Sequence, residues 1–194
     1  MKSVIVAAKR QKDEVSRLVD YIKKLDGTEV IVIPADETVE EYPKRNNYAL
    51  RQAADMFPDE AFFWLEPDSI PIKSGWLKTI ESAYVASGKE FMLSHNANPP
   101  HDLIGGIGVY GQKTNEIIPK DLDGDFHGKG WDMWMLLKIP HRIHFSNLIQ
   151  HSYGIYNHTG HAEPHRFPRD NDMLCSEAVI FHRDKYQDLI TNKL

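Results

Sequence analysis

The sequence places two carboxylates, Glu66 and Asp68, on either side of Pro67 and directly after an apolar run at residues 61–65. Such a run is typical of a central strand covered on both faces, and open α/β sheets bind ligands at the carboxyl ends of their strands. Two carboxylates in such a crevice are unfavourable unless a cation neutralises them. Carboxylate oxygens suit Mg²⁺ or Mn²⁺, which can in turn hold a diphosphate. The motif therefore predicts a divalent metal site, with a solvated surface turn as the alternative.

Two histidines that follow β-rich runs are candidate partners for this acidic motif. His182 comes directly after the apolar run 178–181, and Lys185 stands three residues later. A neutral imidazole can ligate Mn²⁺, and a nearby cation can balance the charge of a departing diphosphate. His151 also follows a β-rich run and is the alternative metal ligand. The remaining histidines lack the spacing of a zinc site, so zinc is not expected.

Alternating strand and helix patterns must position these side chains. Short β-branched runs predict strands, and apolar residues spaced three or four apart predict helices. In the first half of the chain, strands are predicted at 3–8, 29–33, 61–65 and 91–93, and helices at 15–25, 47–56 and 75–84. Gly27 and Gly88 are expected to end the first and third helices, and Ser74 is expected to cap the third. Later strands are predicted at 104–110, 143–149 and 178–181.

Composition restricts the class of protein. With 194 residues, 41% hydrophobic and 26% charged, the chain is predicted to form one domain, 1–194, with a sizeable core. The single Cys175 excludes an internal disulfide or a cysteine zinc cage, which fits a reducing compartment. No run approaches the roughly 18 apolar residues of a membrane helix, so we expect a cytoplasmic protein without a membrane span. The net charge of −5 means that binding to nucleic acid would need a local basic patch.

The segment 62–71, with its strand, Glu-Pro-Asp turn and second proline, is followed by Gly75 and Trp76. This layout resembles the small GT-A-fold glycosyltransferases encoded by bacteriophages and bacteria, which carry an Asp-x-Asp metal motif after a central strand. The resemblance implies an α/β, Rossmann-like three-layer α/β/α sandwich with a mixed sheet. It also implies a donor half at about 1–95 and an acceptor half at about 96–194.

The first acid of the motif departs from the family pattern in being Glu66. Direct metal contact is therefore assigned to Asp68, and Glu66 is expected to act through water or the ribose. The resemblance gives His182 the role of completing the metal shell and gives Lys185 the role of meeting the diphosphate. The metal would be Mn²⁺ or Mg²⁺.

The same resemblance implies further contacts with a nucleoside-diphosphate sugar. They are the backbone of Ala7 and Ala8, the carboxylate of Asp36, Arg45, Asn46 and the glycine pair Gly105 and Gly106. A helix cap is the alternative role for Asn46, and a strand bulge is the alternative for the glycines. The glycine run 105–111 lacks the strand-then-helix order of a dinucleotide fingerprint.

Asp132 stands at the start of an apolar, aromatic helical segment, where inverting GT-A transferases carry their general base. N-capping of that helix is the alternative role, and Asp125 is the reserve candidate for the base. Trp131 and Trp134 could stack on a sugar or base, with a place in the core as the alternative. The expected reaction is metal-dependent, inverting transfer of a sugar from a nucleotide donor, with uridine as the favoured nucleoside. The acceptor is either a hydroxymethylated pyrimidine in phage DNA or a glycan. A non-catalytic module that binds nucleotide sugars is the competing interpretation.

Overall fold

The alternation of β-branched and amphipathic segments produces alternating strands and helices in the first half of the chain, as predicted. A computed structural model describes residues 1–7, 9–35, 38, 44–98, 101–120, 130–151 and 176–182. Its first elements are β1 (Lys2–Ala7), α1 (Lys12–Asp26), β2 (Val30–Pro34), α2 (Lys44–Met56), β3 (Phe62–Leu65), β4 (Ser69–Pro71) and α3 (Trp76–Ser87). A short 3-10 helix, Lys9–Gln11, leads into α1.

The second half contains longer strands and shorter helices. Its elements are β5 (Phe91–Asn98), β6 (His101–Tyr110), α4 (Thr114–Ile117), α5 (Trp131–Lys138), β7 (Ile143–Ser146), β8 (Ile149–His151) and β9 (Ile180–His182). The strand predicted at 143–149 is in fact two strands, β7 and β8, because a turn at 147–148 separates them. Within the described ranges, no helix has both the length and the apolar character needed to cross a membrane.

Six strands form the main sheet, in the order β2-β1-β3-β6-β5-β7. β1 is parallel to β2 and to β3, whereas β6 is antiparallel to both of its neighbours, so the sheet is mixed. The chain moves from β1 to β2 on one side and then to β3 on the other side. Reversal of this kind opens a crevice at the carboxyl ends of the strands, which is where open α/β sheets bind ligands.

Side chains alternate across this sheet and divide the core in two. Phe62 and Trp64 of β3 pack with α2 and α5 on one face. Phe63 and Leu65 pack with α1 and α3 on the other face. This confirms the predicted three-layer α/β/α sandwich, because each face of the sheet is covered by helices.

A second, three-stranded sheet has the order β4-β9-β8 and packs on the α1 and α3 side. β4 is a three-residue strand that ends in a proline, and it is not among the strands predicted from the sequence. In this sheet Ser69 of β4 lies opposite His182 of β9. The Tyr21 hydroxyl of α1 donates a buried hydrogen bond of 3.0 Å to the carbonyl of Pro71, which ties β4 to α1.

Two of the helix ends predicted from the sequence agree with the structure, and one does not. Gly27, at a φ of +76°, ends α1, and Gly88, at +61°, ends α3. The prediction that Ser74 caps α3 is wrong, because Gly75 is the N-cap residue and no side-chain capping bond forms there. Instead, the Gly75 N–H donates to a carboxylate oxygen of Asp26 at 2.8 Å, so a side chain from the end of α1 satisfies it.

Replacing Tyr21 by Phe removes the hydroxyl that holds β4 and leaves the ring in place. We expect the free energy of unfolding to fall by about 1 kcal/mol, the usual net contribution of a buried hydrogen bond. Urea denaturation measures this. Tyr48→Phe is the matched control, because Tyr48 is 46% exposed and its change should stay within about 0.5 kcal/mol. Equal stability of Tyr21→Phe and the wild type would contradict the role given to this contact.

Candidate metal centre and ligand cavity

A tight turn at the carboxyl end of β3 holds the two acidic side chains. The Ser69 N–H donates to the Glu66 carbonyl at 3.0 Å, and the Glu66 N–H donates to the Ser69 hydroxyl oxygen at 3.2 Å. Pro67 takes the second position of this turn, where its restricted φ is favourable, and Asp68 takes the third. The turn therefore fixes the spacing of both carboxylates.

Strand pairing brings His182 to this turn from 116 residues away. β4 follows the turn directly, and its antiparallel pairing with β9 sets Ser69 opposite His182. The Nε2 atom of His182 lies 3.1 Å from an oxygen of Glu66 and 3.5 Å from an oxygen of Asp68. The imidazole is 2% exposed, whereas each carboxylate is 24% exposed. The result is a buried imidazole facing two partly open carboxylates.

The charge of the two acids controls the protonation of His182. Burial alone would lower its pKa, but the charge of Asp68 and the hydrogen bonds to Asp68 and Glu66 outweigh burial and raise the pKa from 6.5 to about 9. In the absence of a metal, the imidazole is therefore protonated at neutral pH and acts as the counter-ion of the carboxylates. A cation bound by the same nitrogen must displace this proton.

The donor atoms of this cluster fit a divalent cation. Oxygen or nitrogen atoms of Glu66, Asp68 and His182 all lie within 4.8 Å of one another. Adjacent ligands of an octahedral ion with bonds of about 2.1 Å are about 3 Å apart, close to the distances found here. Two carboxylates suit Mg²⁺ or Mn²⁺, and an imidazole is compatible with a transition metal such as Mn²⁺. No second cluster of this kind occurs in the part of the chain that the structure describes.

The cluster differs in one respect from the arrangement expected from the sequence. Glu66 was expected to act through water or the ribose, with Asp68 as the direct ligand. The structure brings Glu66 into the same group, and its oxygen lies closer to His182 Nε2 than that of Asp68. Both acids are thus in position to offer a ligand atom.

A cavity of about 310 Å³ lies beside the cluster, at the reversal point between β1 and β3. Described residues that line it are Val6, Gln11, Glu14, Ala35, Arg45, Asn46, Ala49, Trp64, Leu65, Glu66, Pro67, Asp68 and Trp131. Three of the predicted donor contacts, Arg45, Asn46 and Glu66, are among them. Asn46 lies inside α2, so it is not the N-cap residue of that helix.

Two of these lining residues, Gln11 and Glu14, are not among the contacts predicted from the sequence. Gln11 ends the short 3-10 helix before α1, and Glu14 lies in the first turn of α1. Trp131, which was a candidate for stacking on a sugar or base, comes from α5. The rule that ligands bind at the reversal point could have indicated the first turn of α1, because α1 is the first α-helix after β1. Nothing in the local sequence pairs Trp131 with β1 or β3.

The cavity carries an excess of negative charge among its described lining residues. Arg45 and the protonated His182 that faces Glu66 and Asp68 supply two positive charges, against three carboxylates on Glu14, Glu66 and Asp68. An anionic ligand such as a diphosphate would be repelled by this group unless a bound cation compensates it. The charge distribution therefore favours anion binding only together with a metal.

Close packing explains the glycine at position 106. A Cβ added to Gly106 would lie 2.7 Å from the Trp131 ring and 3.1 Å from an oxygen of Glu66, so a side chain is excluded there. The indole N–H of Trp131 donates to the Tyr110 hydroxyl at 2.7 Å, and that hydroxyl donates to the Gly106 carbonyl. Gly105 also lies in β6. A wall of β6 and Trp131 thus lies against Glu66.

Asp132 is the second residue of α5, and Gly130 is the N-cap. The alternative of N-capping by Asp132 is therefore not what the structure shows. An oxygen of its half-buried carboxylate accepts a hydrogen bond of 2.8 Å from the Met133 N–H. Burial first, and the charges of Asp132 and Glu66 in addition, raise the pKa of Tyr110 well above its usual range. Asp132 follows Trp131, which lines the cavity, but Asp132 itself is not among the described lining residues.

The remaining predicted positions are only partly described. Ala7 ends β1, and its carbonyl accepts the N–H of Ala35 at 2.9 Å. His151 lies in β8 opposite His182, and the structure describes only its backbone. Three predicted contacts, Ala8, Asp36 and Lys185, and the reserve base candidate Asp125 lie outside the described residues.

Comparison with known proteins gives information at the level of the fold. No protein-family model matches the sequence, and no curated protein matches it. Among solved structures, the chain is similar to a glycosyltransferase involved in the glycosylation of the major capsid of PBCV-1. The two share 15% identity and a TM-score of 0.62, over 99% of this chain and 100% of that one. The protein therefore has a GT-A-like α/β fold of the Rossmann type.

Two further structures are less similar. A197 from STIV is 13% identical with a TM-score of 0.47, over 74% of this chain and 80% of that one. A protein described as a glucose-1-phosphate thymidylyltransferase from Bacillus anthracis is 11% identical with a TM-score of 0.47, over 75% of this chain and 86% of that one.

The raised pKa of His182 predicts how stability without metal depends on pH. The folded state binds the proton more tightly than the unfolded state, so this stabilisation is complete below pH 6.5 and is lost as pH rises through about 9. In EDTA, we expect the free energy of unfolding to fall across this range by at most about 1.4 kcal/mol per pH unit from this group. Urea denaturation at several pH values measures the slope.

His182→Gln should remove this contribution to the slope, because glutamine does not titrate. His144→Gln is the control, because His144 is a half-buried residue of β7. This variant should keep the pH slope of the wild-type free energy of unfolding. Identical slopes in wild type and His182→Gln would show that His182 is not the group that holds the extra proton.

Proposed function

We propose that the protein is a metal-dependent glycosyltransferase that moves a sugar from a nucleoside-diphosphate sugar to an acceptor hydroxyl. The observation that carries the proposal is the convergence of Glu66, Asp68 and His182 beside a cavity at the reversal point of a GT-A-like sheet. Acidic and imidazole ligands next to a cavity of this size are suited to a metal that engages a diphosphate.

The proposed metal ligands are Asp68 and His182, with Glu66 as a third, and the proposed ion is Mn²⁺ or Mg²⁺. A divalent ion bound there supplies positive charge that stabilises the diphosphate as it departs. His182 must lose its proton to serve as a ligand, because only the neutral ring has a free nitrogen lone pair. Binding of the ion should therefore strengthen as pH rises toward 9.

Donor recognition is assigned to the side of the cavity formed by α2 and the ends of β1 and β2. The Arg45 guanidinium is suited to a phosphate, and the Asn46 amide is suited to a ribose hydroxyl or a phosphate oxygen. The backbone at Ala7 and Ala8 and the carboxylate of Asp36 are proposed to contact the nucleoside. Lys185 is proposed to meet the diphosphate. We propose uridine as the nucleoside.

Asp132 is the proposed general base. Its carboxylate takes the proton of the acceptor hydroxyl while that oxygen bonds to the anomeric carbon of the sugar. The bond between the anomeric carbon and the diphosphate oxygen breaks, and the nucleoside diphosphate leaves with the electron pair. Attack opposite to the leaving group inverts the anomeric carbon. The glycine pair at 105–106 allows the backbone of β6 to approach the sugar.

The acceptor is proposed to be a glycan or a hydroxymethylated pyrimidine in DNA. The viral enzyme of similar fold takes part in capsid glycosylation, which supports a glycan. The net charge of −5 also favours a glycan, because a DNA duplex requires several cationic contacts with phosphates. Incubation with labelled donor and either acceptor class, followed by mass spectrometry of the acceptor, distinguishes the two.

Thermal unfolding with nucleotides tests the donor site without an acceptor. A nucleoside diphosphate at about 100 times its Kd should stabilise the protein by about 2.7 kcal/mol, which corresponds to a rise in Tm of about 5–10 °C for a chain of this size. We expect this rise only with Mn²⁺ or Mg²⁺ present, and we expect EDTA or Asp68→Asn to abolish it. The panel covers uridine, guanosine, thymidine, adenosine and cytidine diphosphates and their sugars.

Asp59→Asn is the control for this experiment, because Asp59 is an exposed carboxylate in the turn after α2. It should keep the full metal-dependent rise. Absence of a rise with every nucleotide at millimolar concentration would contradict the transferase proposal, and a rise in EDTA equal to that in Mn²⁺ would contradict the metal role.

Asp132→Asn tests the base while keeping the oxygen that accepts the Met133 N–H. We expect donor affinity to be retained and turnover to fall by about 10²–10⁴-fold, the usual contribution of a general base. Release of nucleoside diphosphate measures turnover. Full turnover in this variant would show that another group is the base. Donor binding without any turnover in the wild type would instead indicate a non-catalytic binding module.

A further inference from the structure

Helix α5 lacks an N-terminal cap from its own sequence. Its N-cap residue is Gly130, which has no side chain, and no side-chain capping bond forms. The first N–H groups of a helix have no partner within the helix, so another group must satisfy them when they are buried. The Trp131 N–H donates a buried hydrogen bond of 2.9 Å to the Oδ1 atom of Asn47, 84 residues earlier. A side chain of α2 thus replaces the missing cap.

Asn47 also belongs to the part of α2 that faces the ligand cavity. Arg45 and Asn46, its immediate predecessors, line the cavity beside the acidic turn. Asn47 is itself buried, with 9% of its surface exposed. Its Oδ1 atom holds Trp131, whereas its Nδ2 atom has no hydrogen-bond partner among the described residues. One helical turn therefore contacts the cavity and holds α5 at the same time.

Trp131 is held at a second point that does not depend on Asn47. Its indole N–H donates to the Tyr110 hydroxyl at 2.7 Å, and its ring packs edge to face on Trp64 with 5.9 Å between centroids. The side chain thus anchors the helix to the main sheet, and the Asn47 contact sets the orientation of its first turn. Loss of the Asn47 contact would leave α5 attached to the sheet while freeing its first turn, which carries Asp132.

We propose that Asn47 is a positioning residue for the transfer reaction. Through the Trp131 N–H, it aligns the first turn of α5, and with it Asp132, against the donor cavity. The inference rests on the proposed function, in which Asp132 is the base. A general base must lie within hydrogen-bond reach of the hydroxyl that it deprotonates, so a displacement of about 1 Å can lower the rate by about 10²-fold.

The test compares Asn47→Ala with Asn47→Asp, which keeps an oxygen in the place of Oδ1. For Asn47→Ala, we expect kcat to fall by about 10–100-fold while KM for the donor changes by less than about 3-fold. Asn47→Asp should restore kcat to within about 3-fold of the wild type. Thr114→Val is the matched control, because it removes another buried hydrogen bond, from the Thr114 hydroxyl to the Gly111 carbonyl at 2.6 Å, and should leave kcat unchanged.

Amide hydrogen exchange of the segment 130–135 gives a readout that does not depend on turnover. Exchange should be faster in Asn47→Ala and should match the wild type in Asn47→Asp, because the oxygen protects the Trp131 N–H. If Asn47→Ala does not fold, Asn47→Thr is used instead. The threonine side chain is too short for its hydroxyl to accept the hydrogen bond from the Trp131 N–H.

Three results would overturn the proposal. The first is a raised KM with unchanged kcat in Asn47→Ala, which would indicate a donor contact. The second is failure of Asn47→Asp to restore kcat. The third is unchanged exchange in Asn47→Ala. If the wild type turns over no nucleotide sugar, the proposed function fails and the positioning role fails with it. If the wild type is active and Asn47→Ala equals it, only the positioning role fails.

Discussion

The pairing of β4 with β9 is the contact on which the candidate site depends. It sets Ser69 opposite His182 and so brings an imidazole within 3.5 Å of both acids of the turn. Three-residue strands are weak elements by themselves, and a buried charged group is unfavourable without partners. Here Ile70 and Ile180 are fully buried in the core between this small sheet and the main sheet. Hydrophobic packing thus holds the strands together and compensates for the buried ionisable group.

The same pairing makes a proton and a metal compete for one position. Without a metal, the His182 proton neutralises part of the charge of Glu66 and Asp68, so the cluster is stable when empty. A divalent ion would take over this role and add a charge that the cavity needs for an anionic ligand. The site therefore has a protonated form compatible with folding, and a metal-bound form would suit the proposed chemistry.

The cavity is assembled from elements on both faces of the sheet. α1 and α2 supply lining residues such as Glu14 and Arg45, and α5 from the second half of the chain supplies Trp131, which Asp132 follows in the sequence. The contact between Asn47 and Trp131 connects the two halves at the site. In the proposed reaction this matters because the donor and the base must be aligned to each other, and each is held by a different part of the fold.

Local sequence patterns determined the alternation of strands and helices, the glycine ends of α1 and α3, and the placement of Glu66 and Asp68 after a buried strand. These features depend on neighbours within a few residues, so periodicity and turn preferences are enough to predict them. The tertiary structure alone decided that β4 exists, that His182 reaches the two acids, that Asp26 rather than Ser74 satisfies the start of α3, and that Gln11 and Glu14 line the cavity. Each of these depends on a partner many residues away, and long-range packing selects that partner by burial and shape, which local patterns do not encode.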